Sequence, residues 1–392
     1  MVKLINLDRE TIKINNKKRI IKLIYKKGEL TKQEISKELN ISIPTTINNV
    51  NELIKEGIVE EAGVADSTGG RKPVIVKFIP NARFSFGVEI KPNYVRVILM
   101  NLHSQIQYDK CFEMNCLEQF DKVLYKVKEE INIVIEKMNI PREKILGIGF
   151  SLPGTVNEEK MLLELAPNLK VKNISFKEFE DSISIPVYIE NEANASAYAE
   201  LNLGIDKEIK NLAYISITEG IGVGVVVGGN LYKGKNKRAG EFGHMTIIAN
   251  GIQCNCGKKG CWEMYSSEKA LLNNYNEKSR NKINSLDEFF ILLDSKEKTA
   301  IKVWEEYINY LCIGIQNMIL ILDPNYIVIG GKISSYGEGL LKAVKDRVFV
   351  ENSFYTKEDN EIILSNLKSD ASIKGAALLT YDKLFFLGNK II

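Results

Sequence analysis

Histidine is almost missing from this chain, with two in 392 residues. Tryptophan also occurs twice, cysteine six times and proline nine times. A disulfide-stapled secreted scaffold needs far denser cysteine and is excluded. So few prolines exclude a proline-rich or collagen-like chain. No apolar run nears the roughly 20 residues that span a bilayer, so no membrane partner is expected. The opening stretch MVKLINLDRETIKINNKKRI lacks the apolar core of an export signal, which leads to the expectation of a cytoplasmic protein.

A hydrophobic content of 45% and a charged content of 26% argue against disorder. The length suits two or three domains. The net charge of +3 hides a division: residues 1–83 carry 16 Lys and Arg against 10 Asp and Glu, whereas the rest carries 37 against 40. A basic segment on a slightly acidic body suggests a separate domain that faces a polyanion.

The first 60 residues carry helical patterns. Asn16 to Lys27 places Ile20, Ile21, Leu23 and Ile24 on one face, and Gly28 ends it. Thr31 and Glu34 have the spacing of a capping box, which starts a helix that runs to about Leu39. Ser42 caps a third helix, with Pro44 in its first turn and Ile47, Val50, Leu53 and Ile54 as its apolar face. Two short helices joined by a tight turn match a helix-turn-helix. Then IVEEAGVADSTGGRKPVIVKFIP reads as strand, loop, strand, the layout of a wing. Pro80–Ser85 is the expected linker. Beyond Phe86 the pattern becomes α/β. Strands are expected at Phe86–Ile90, Val95–Asn101, Ile145–Ser151, Val187–Glu190, Leu212–Ile217, Gly222–Val227 and Ile327–Ile329, and helices at Phe120–Met138 and Lys302–Leu322. Strand-turn-strand units that open near Phe86 and again near Leu212 hint at a duplication.

Half of the cysteines and one of the histidines fall in EFGHMTIIANGIQCNCGKKGCWE, Glu241 to Glu263. His244, Cys254, Cys256 and Cys261 supply three thiolates and one imidazole, a closed tetrahedral set of the kind structural zinc prefers. One zinc ion per chain is expected. Cys111, Cys116 and Cys312 read as buried or half-buried residues without a metal role, and His103 has no partner in view.

The segment CNCGKKGCWE resembles the signature of the ROK family, which joins repressors and sugar kinases. SLPGTV (Ser151–Val156), IENEANASAYAE (Ile189–Glu200), GIGVGVVVGGNLYKG (Gly220–Gly234), AGEFGHM (Ala239–Met245), LDPNYIVIGG (Leu322–Gly331) and KGAALL (Lys374–Leu379) follow in family order. The resemblance covers nearly the whole chain. It implies two α/β lobes of the actin/hexokinase type with a sugar cleft between them. It also implies that Glu241, His244, Glu263 and Asn191 contact sugar hydroxyls and that Gly154 contributes backbone, with Glu192 in the same pocket. Carboxylates suit sugars because each accepts two directional hydrogen bonds.

Kinases of that family carry a glycine-rich turn after the first strand to receive ATP phosphates. Here the matching stretch is Glu89-Ile90-Lys91-Pro92-Asn93. A phosphate cradle needs small residues and free N–H groups, and Pro92 has none. A second phosphate loop reads Thr218-Glu219-Gly220, where a carboxylate repels phosphate. The catalytic Asp of the kinases is replaced by Glu192. A sugar-responsive regulator is therefore expected, similar to the repressor branch; the rival is a kinase with an appended DNA-binding domain.

The expected organisation is a winged helix-turn-helix over 1–80 and a sugar-binding domain over 81–392. The first lobe would span about 84–190 plus a late helix near 375–388, and the second about 191–374. Operator DNA would meet Pro44, Thr45, Thr46, Asn48 and Asn49 on the reading helix and Arg71 and Lys72 on the wing. Lys17, Lys18 and Arg19 would touch phosphates or lie on a solvated face. The effector would be xylose, glucose or an N-acetylated hexosamine, and the chain a homodimer or a tetramer.

Overall fold

The computed structural model describes residues 9–64, 74–114, 119–205, 210–351 and 354–381. The N-terminal unit contains α1 (Arg9–Lys27), β1 (Leu30–Thr31), α2 (Lys32–Leu39), α3 (Ile43–Lys55), β2 (Val59–Val64) and β3 (Val74–Phe78). Local chemistry sets its boundaries. Thr31 caps α2 and Glu34 returns the bond, and Asn40 ends the helix at φ 52°. The Ser42 side chain accepts from the Thr45 N–H to start α3. The strands form a sheet in the order β1-β3-β2. Arg71 and Lys72, the proposed wing cations, lie outside the described residues.

Helix α3 corrects the expected reading face. Thr46 and Asn49 are buried at 0% and 3% exposure, alongside Val50 and Leu53. Thr46 Oγ1 donates to the Ser42 carbonyl and Asn49 Nδ2 to the Thr45 carbonyl. Both turn inward; bonding back to the helix meets the Thr46 hydroxyl and the Asn49 amide donor, while Asn49 Oδ1 is buried without a hydrogen-bond partner among the described residues. Ile47, expected inside, is 36% exposed. Pro44 and Asn48 are exposed and Thr45 half-buried. Lys17 pairs with Glu52 and Glu56 at 2.6 Å, and Arg19 donates to the Leu39 carbonyl, so neither is a spare phosphate contact.

Two five-stranded sheets follow, built to one plan. The first holds β4 (Phe84–Ile90), β5 (Tyr94–Asn101), β6 (Ile106–Glu113), β7 (Ile145–Leu152) and, after β8 (Thr155–Asn157), β9 (Leu162–Ala166) and β10 (Val171–Ser175), β11 (Val187–Asn191). Its order is β11-β7-β4-β5-β6. The second holds β12 (Leu212–Ile217), β13 (Ile221–Val227), β14 (Asn230–Leu231), β15 (Tyr326–Gly330) and β16 (Glu361–Leu364) in the order β14-β13-β12-β15-β16. Each is an antiparallel meander with two parallel strands added beside its first strand. That repeat bears out the duplication. β8, β9 and β10 form a small separate sheet in the order β10-β9-β8.

Helix α4 (Phe120–Lys137) covers one face of the first sheet, and α5 (Lys177–Ile183) precedes β11. Two helices rich in small residues, α6 (Glu192–Ala199) and the late Ala371–Leu379, pack on each other and on the sheets. Glycine permits the close approach: a Cβ at Gly149 of β7 would lie 1.8 Å from the Ala376 carbonyl oxygen, and one at Gly224 of β13 would lie 2.3 Å from that of Ala193. The second lobe adds α7 (Glu263–Ser266), α8 (Glu268–Lys278), α9 (Leu286–Asp294), α10 (Lys298–Leu322) and α11 (Glu338–Val348), so the late helix is α12. The described part of α12 begins four residues before the expected position, at Ala371.

The N-terminal unit shares its core with the first lobe. Ile20, Ile21 and Ile24 of α1 join Met100, Leu102, Leu146 and Tyr381 in one buried cluster. Tyr25 of α1 meets Ser104 at 2.7 Å through their hydroxyls and stands edge-on to Tyr381, just past α12.

Candidate functional site

The loop from Glu241 to Glu263 is shaped by short-range bonds. A single 3-10 turn spans Glu241–His244, and bridges join Thr246 to Cys261 and Gln253 to Lys259. Trp262, fully buried, anchors the loop by donating Nε1–H to the Tyr310 carbonyl. The ligand atoms of His244, Cys254, Cys256 and Cys261 thereby lie within 4.8 Å of one another, a group that could hold a metal ion. Cys254 Sγ is 3.6 Å from His244 Nδ1, and the Cys256 and Cys261 sulfurs are 3.5 Å apart. Elsewhere Cys312 is buried, whereas Cys111 is exposed rather than half-buried; Cys116 lies outside the described residues. His103 is exposed.

Glu263 touches the same cluster, with Oε1 3.2 Å from His244 Nδ1. The other ring nitrogen, Nε2, is 3.8 Å from Glu241 Oε2. Imidazole and carboxylates face a cavity of about 750 Å³, in the size range of small-molecule sites. Its lining brings together Gly154, Asn191, Glu192, Glu241, His244 and Glu263. Desolvation by the cavity walls pushes the Glu241 carboxyl above its ordinary range. Asn191 caps α6, accepting from the Ala193 and Asn194 N–H groups, while its Nδ2 donates to the Gly154 carbonyl at 2.8 Å.

Glu192, the first residue of α6, has a partner that the sequence did not disclose. Lys91 Nζ lies 3.4 Å from Glu192 Oε2 and 3.6 Å from Glu89 Oε1. Burial works against the ammonium, but Glu192 and Glu89 outweigh it and hold the Lys91 pKa above the usual lysine value. Glu89 is itself held by the hydroxyls of Tyr94 and of Ser372 on α12. The Thr218 N–H is spent within its own turn, donating to the Gly220 carbonyl.

A second set of unforeseen contacts crosses the cleft. Lys233 pairs with Glu190 at 2.5 Å and Glu158 at 2.9 Å, and Lys237 with Glu158 and Glu159 at 3.0 Å. Burial disfavours the Lys233 charge, yet its two carboxylates raise its pKa. No local pattern announces these pairs, because their members lie more than 40 residues apart.

Comparison with known proteins places this geometry. The profile of the ROK family matches residues 85–383, and a profile described as winged helix-turn-helix DNA-binding matches residues 15–60. The xylose repressor of Bacillus subtilis is 31% identical, across 96% of this chain and 97% of its own length. A glucokinase of Halalkalibacterium halodurans is 29% identical, over 61% of this chain and 77% of its own. A crystal structure of a ROK family transcriptional regulator, a homologue of the E. coli MLC protein, superposes with a TM-score of 0.82 at 25% identity, covering 96% of this chain and 98% of that one.

Proposed function

The chain belongs to the ROK family, and from that premise we propose a sugar-responsive, DNA-binding transcriptional repressor whose effector is a monosaccharide held between the lobes. Xylose is the first candidate, given the repressors that match along nearly the whole chain. One contrast carries the reading. The six residues expected around a sugar line one cavity, while the turn that would receive phosphate in a kinase sends Lys91 onto Glu192.

Glu241, Glu263 and Glu192 would accept hydrogen bonds from sugar hydroxyls, His244 Nε2 would add a directional contact, and Asn191 would hold Gly154 against the ring. We read the chain as a non-enzyme. A general base needs a free carboxylate within reach of the reacting hydroxyl, and Lys91 engages that of Glu192. Phosphate needs free backbone N–H groups, which Pro92 lacks and the Thr218 turn consumes.

The donor set fits zinc. Tetrahedral Zn–S and Zn–N bonds of about 2.0–2.3 Å place neighbouring ligand atoms about 3.5–3.8 Å apart, close to the separations around Cys254 and Cys256. Zinc held by His244, Cys254, Cys256 and Cys261 would lock the loop that presents Glu241 and Glu263. A twofold dimer follows from half-site reading, with a tetramer as the alternative. Packing offers a route between sites: Glu192, Lys91 and Glu89 lead to Ser372 on α12, and Tyr381 beyond α12 meets Tyr25 of α1.

The test uses full-length protein and operator DNA selected from random duplexes. One sugar among xylose, glucose and N-acetylglucosamine should change operator affinity about 5- to 150-fold and raise the melting temperature. If no sugar does either, the effector reading fails. Sugar-dependent formation of ADP would establish the kinase instead.

A further inference from the structure

The outer face of α3 carries two isoleucines where a solvated helix face would be polar. Ile43 is 39% and Ile47 36% exposed. The core does not use them, since the buried side of α3 is Thr46, Asn49, Val50 and Leu53. They stand one turn apart and form a single ridge, flanked by exposed Pro44, Asn48 and Asn51. They also sit in the N-terminal half of the helix, the part of a recognition helix that meets base edges.

Two side chains bordered by amides make too small a patch for a stable protein interface, which needs about 800 Å² per partner. The major groove, by contrast, offers one apolar group, the C5 methyl of thymine. We infer that Ile47, with Ile43 a turn before it, reads thymine methyls, so that the operator half-site carries thymine where α3 enters the groove. This rests on the DNA-binding reading and adds to it a base identity and the side chains that select it.

Replacing thymine by uracil deletes that methyl and leaves hydrogen-bonding edges and phosphates unchanged. Full-length protein is titrated by fluorescence anisotropy against its selected operator and against duplexes with uracil at single symmetric positions. The wild type should lose about fourfold in affinity per methyl, which corresponds to ~0.8 kcal/mol, at one or two positions per half-site. The slope of log K against log salt should not change, because no phosphate contact is lost. Ile47→Ala should bind thymine and uracil duplexes alike and still unfold at the wild-type temperature, as Ile47 lies outside the core. Equal wild-type affinity for every uracil duplex overturns the inference while operator binding itself stands. So does full discrimination retained in both Ile47→Ala and Ile43→Ala, or an Ile47→Ala chain whose defect is a changed oligomeric state on size exclusion. Absence of any preference for operator over scrambled DNA removes the DNA-binding reading, and the inference with it.

Discussion

Lys91→Met keeps the length of a largely buried side chain and deletes only its charge. In the wild type the ammonium lies 3.4 Å from Glu192 and 3.6 Å from Glu89. At an effective dielectric of about 20, each attraction is roughly 5 kcal/mol, but desolvation of the three ions cancels most of it. The cost of the substitution is therefore set by what is left unpaired. Glu89, 2% exposed, keeps the Tyr94 and Ser372 hydroxyls as donors. Glu192 borders the cavity and can be hydrated. The usual ~3–5 kcal/mol for breaking a buried pair should thus fall to about 2–3 kcal/mol, a drop of about 1 M in the urea midpoint at typical slopes. Glu192, no longer held, should bind the effector about tenfold more weakly, or ~1.4 kcal/mol. A raised lysine pKa contributes stability that is complete below the unfolded value of about 10.4 and disappears only as pH rises through the folded value. The deficit of the variant should accordingly stay constant through neutral pH. Urea titrations of the wild type, Lys91→Met, Glu192→Gln and the double variant check the reasoning, with sugar affinity measured by calorimetry. The double variant should be less destabilised than the sum of the singles by about 1–3 kcal/mol. Strict additivity, or a Lys91→Met chain as stable and as sugar-responsive as the wild type, would refute the pairing.

Elemental analysis should find about one zinc per chain, and Cys256→Ser should lose metal and sugar binding together, because the loop bearing Glu241 and Glu263 is then unfixed. Asn48→Ala should relax base preference at one symmetric operator position by roughly 1–3 kcal/mol without changing stability, as urea and operator titrations would show. Asn49→Ala should do the reverse, lowering stability by about 1 kcal/mol through loss of a buried hydrogen bond while base preference stays intact. Gly149→Ala should not yield folded protein, as judged by circular dichroism, because its Cβ would meet the Ala376 carbonyl at 1.8 Å and neither sheet nor helix can shift without opening the core.

Much of the fold was legible because it is written locally. The caps at Thr31 and Ser42 are short-range bonds and stand where the motifs put them. β12 matches its expected span, and the other expected strands differ at their ends by two residues or fewer. Strand β6 is not legible because it is an edge strand with no buried residue, and β16 because its four residues are too few for a pattern. In α3 the rotational phase is not set by hydrophobicity: that would bury Ile47 rather than Thr46 and Asn49, whereas packing against the other helices buries the two small polar residues.

The sequence by itself determined the types of element, the winged helix-turn-helix order and the grouping of His244, Cys254, Cys256 and Cys261 that could hold a metal ion, since each depends on residues close together in the chain. The loop chemistry around Cys254, Cys256 and Cys261 belongs to this class, because one tight turn brings its sulfurs together. Tertiary structure alone decided which face of α3 is free. It also decided that Lys91 answers Glu192, that Lys233 and Lys237 tie the two lobes, and that α1 leans on Tyr381 beyond α12. Those contacts join residues some 40 to 350 positions apart. Their partners are chosen when two duplicated sheets and two small-residue helices close on each other, and no local periodicity encodes that meeting.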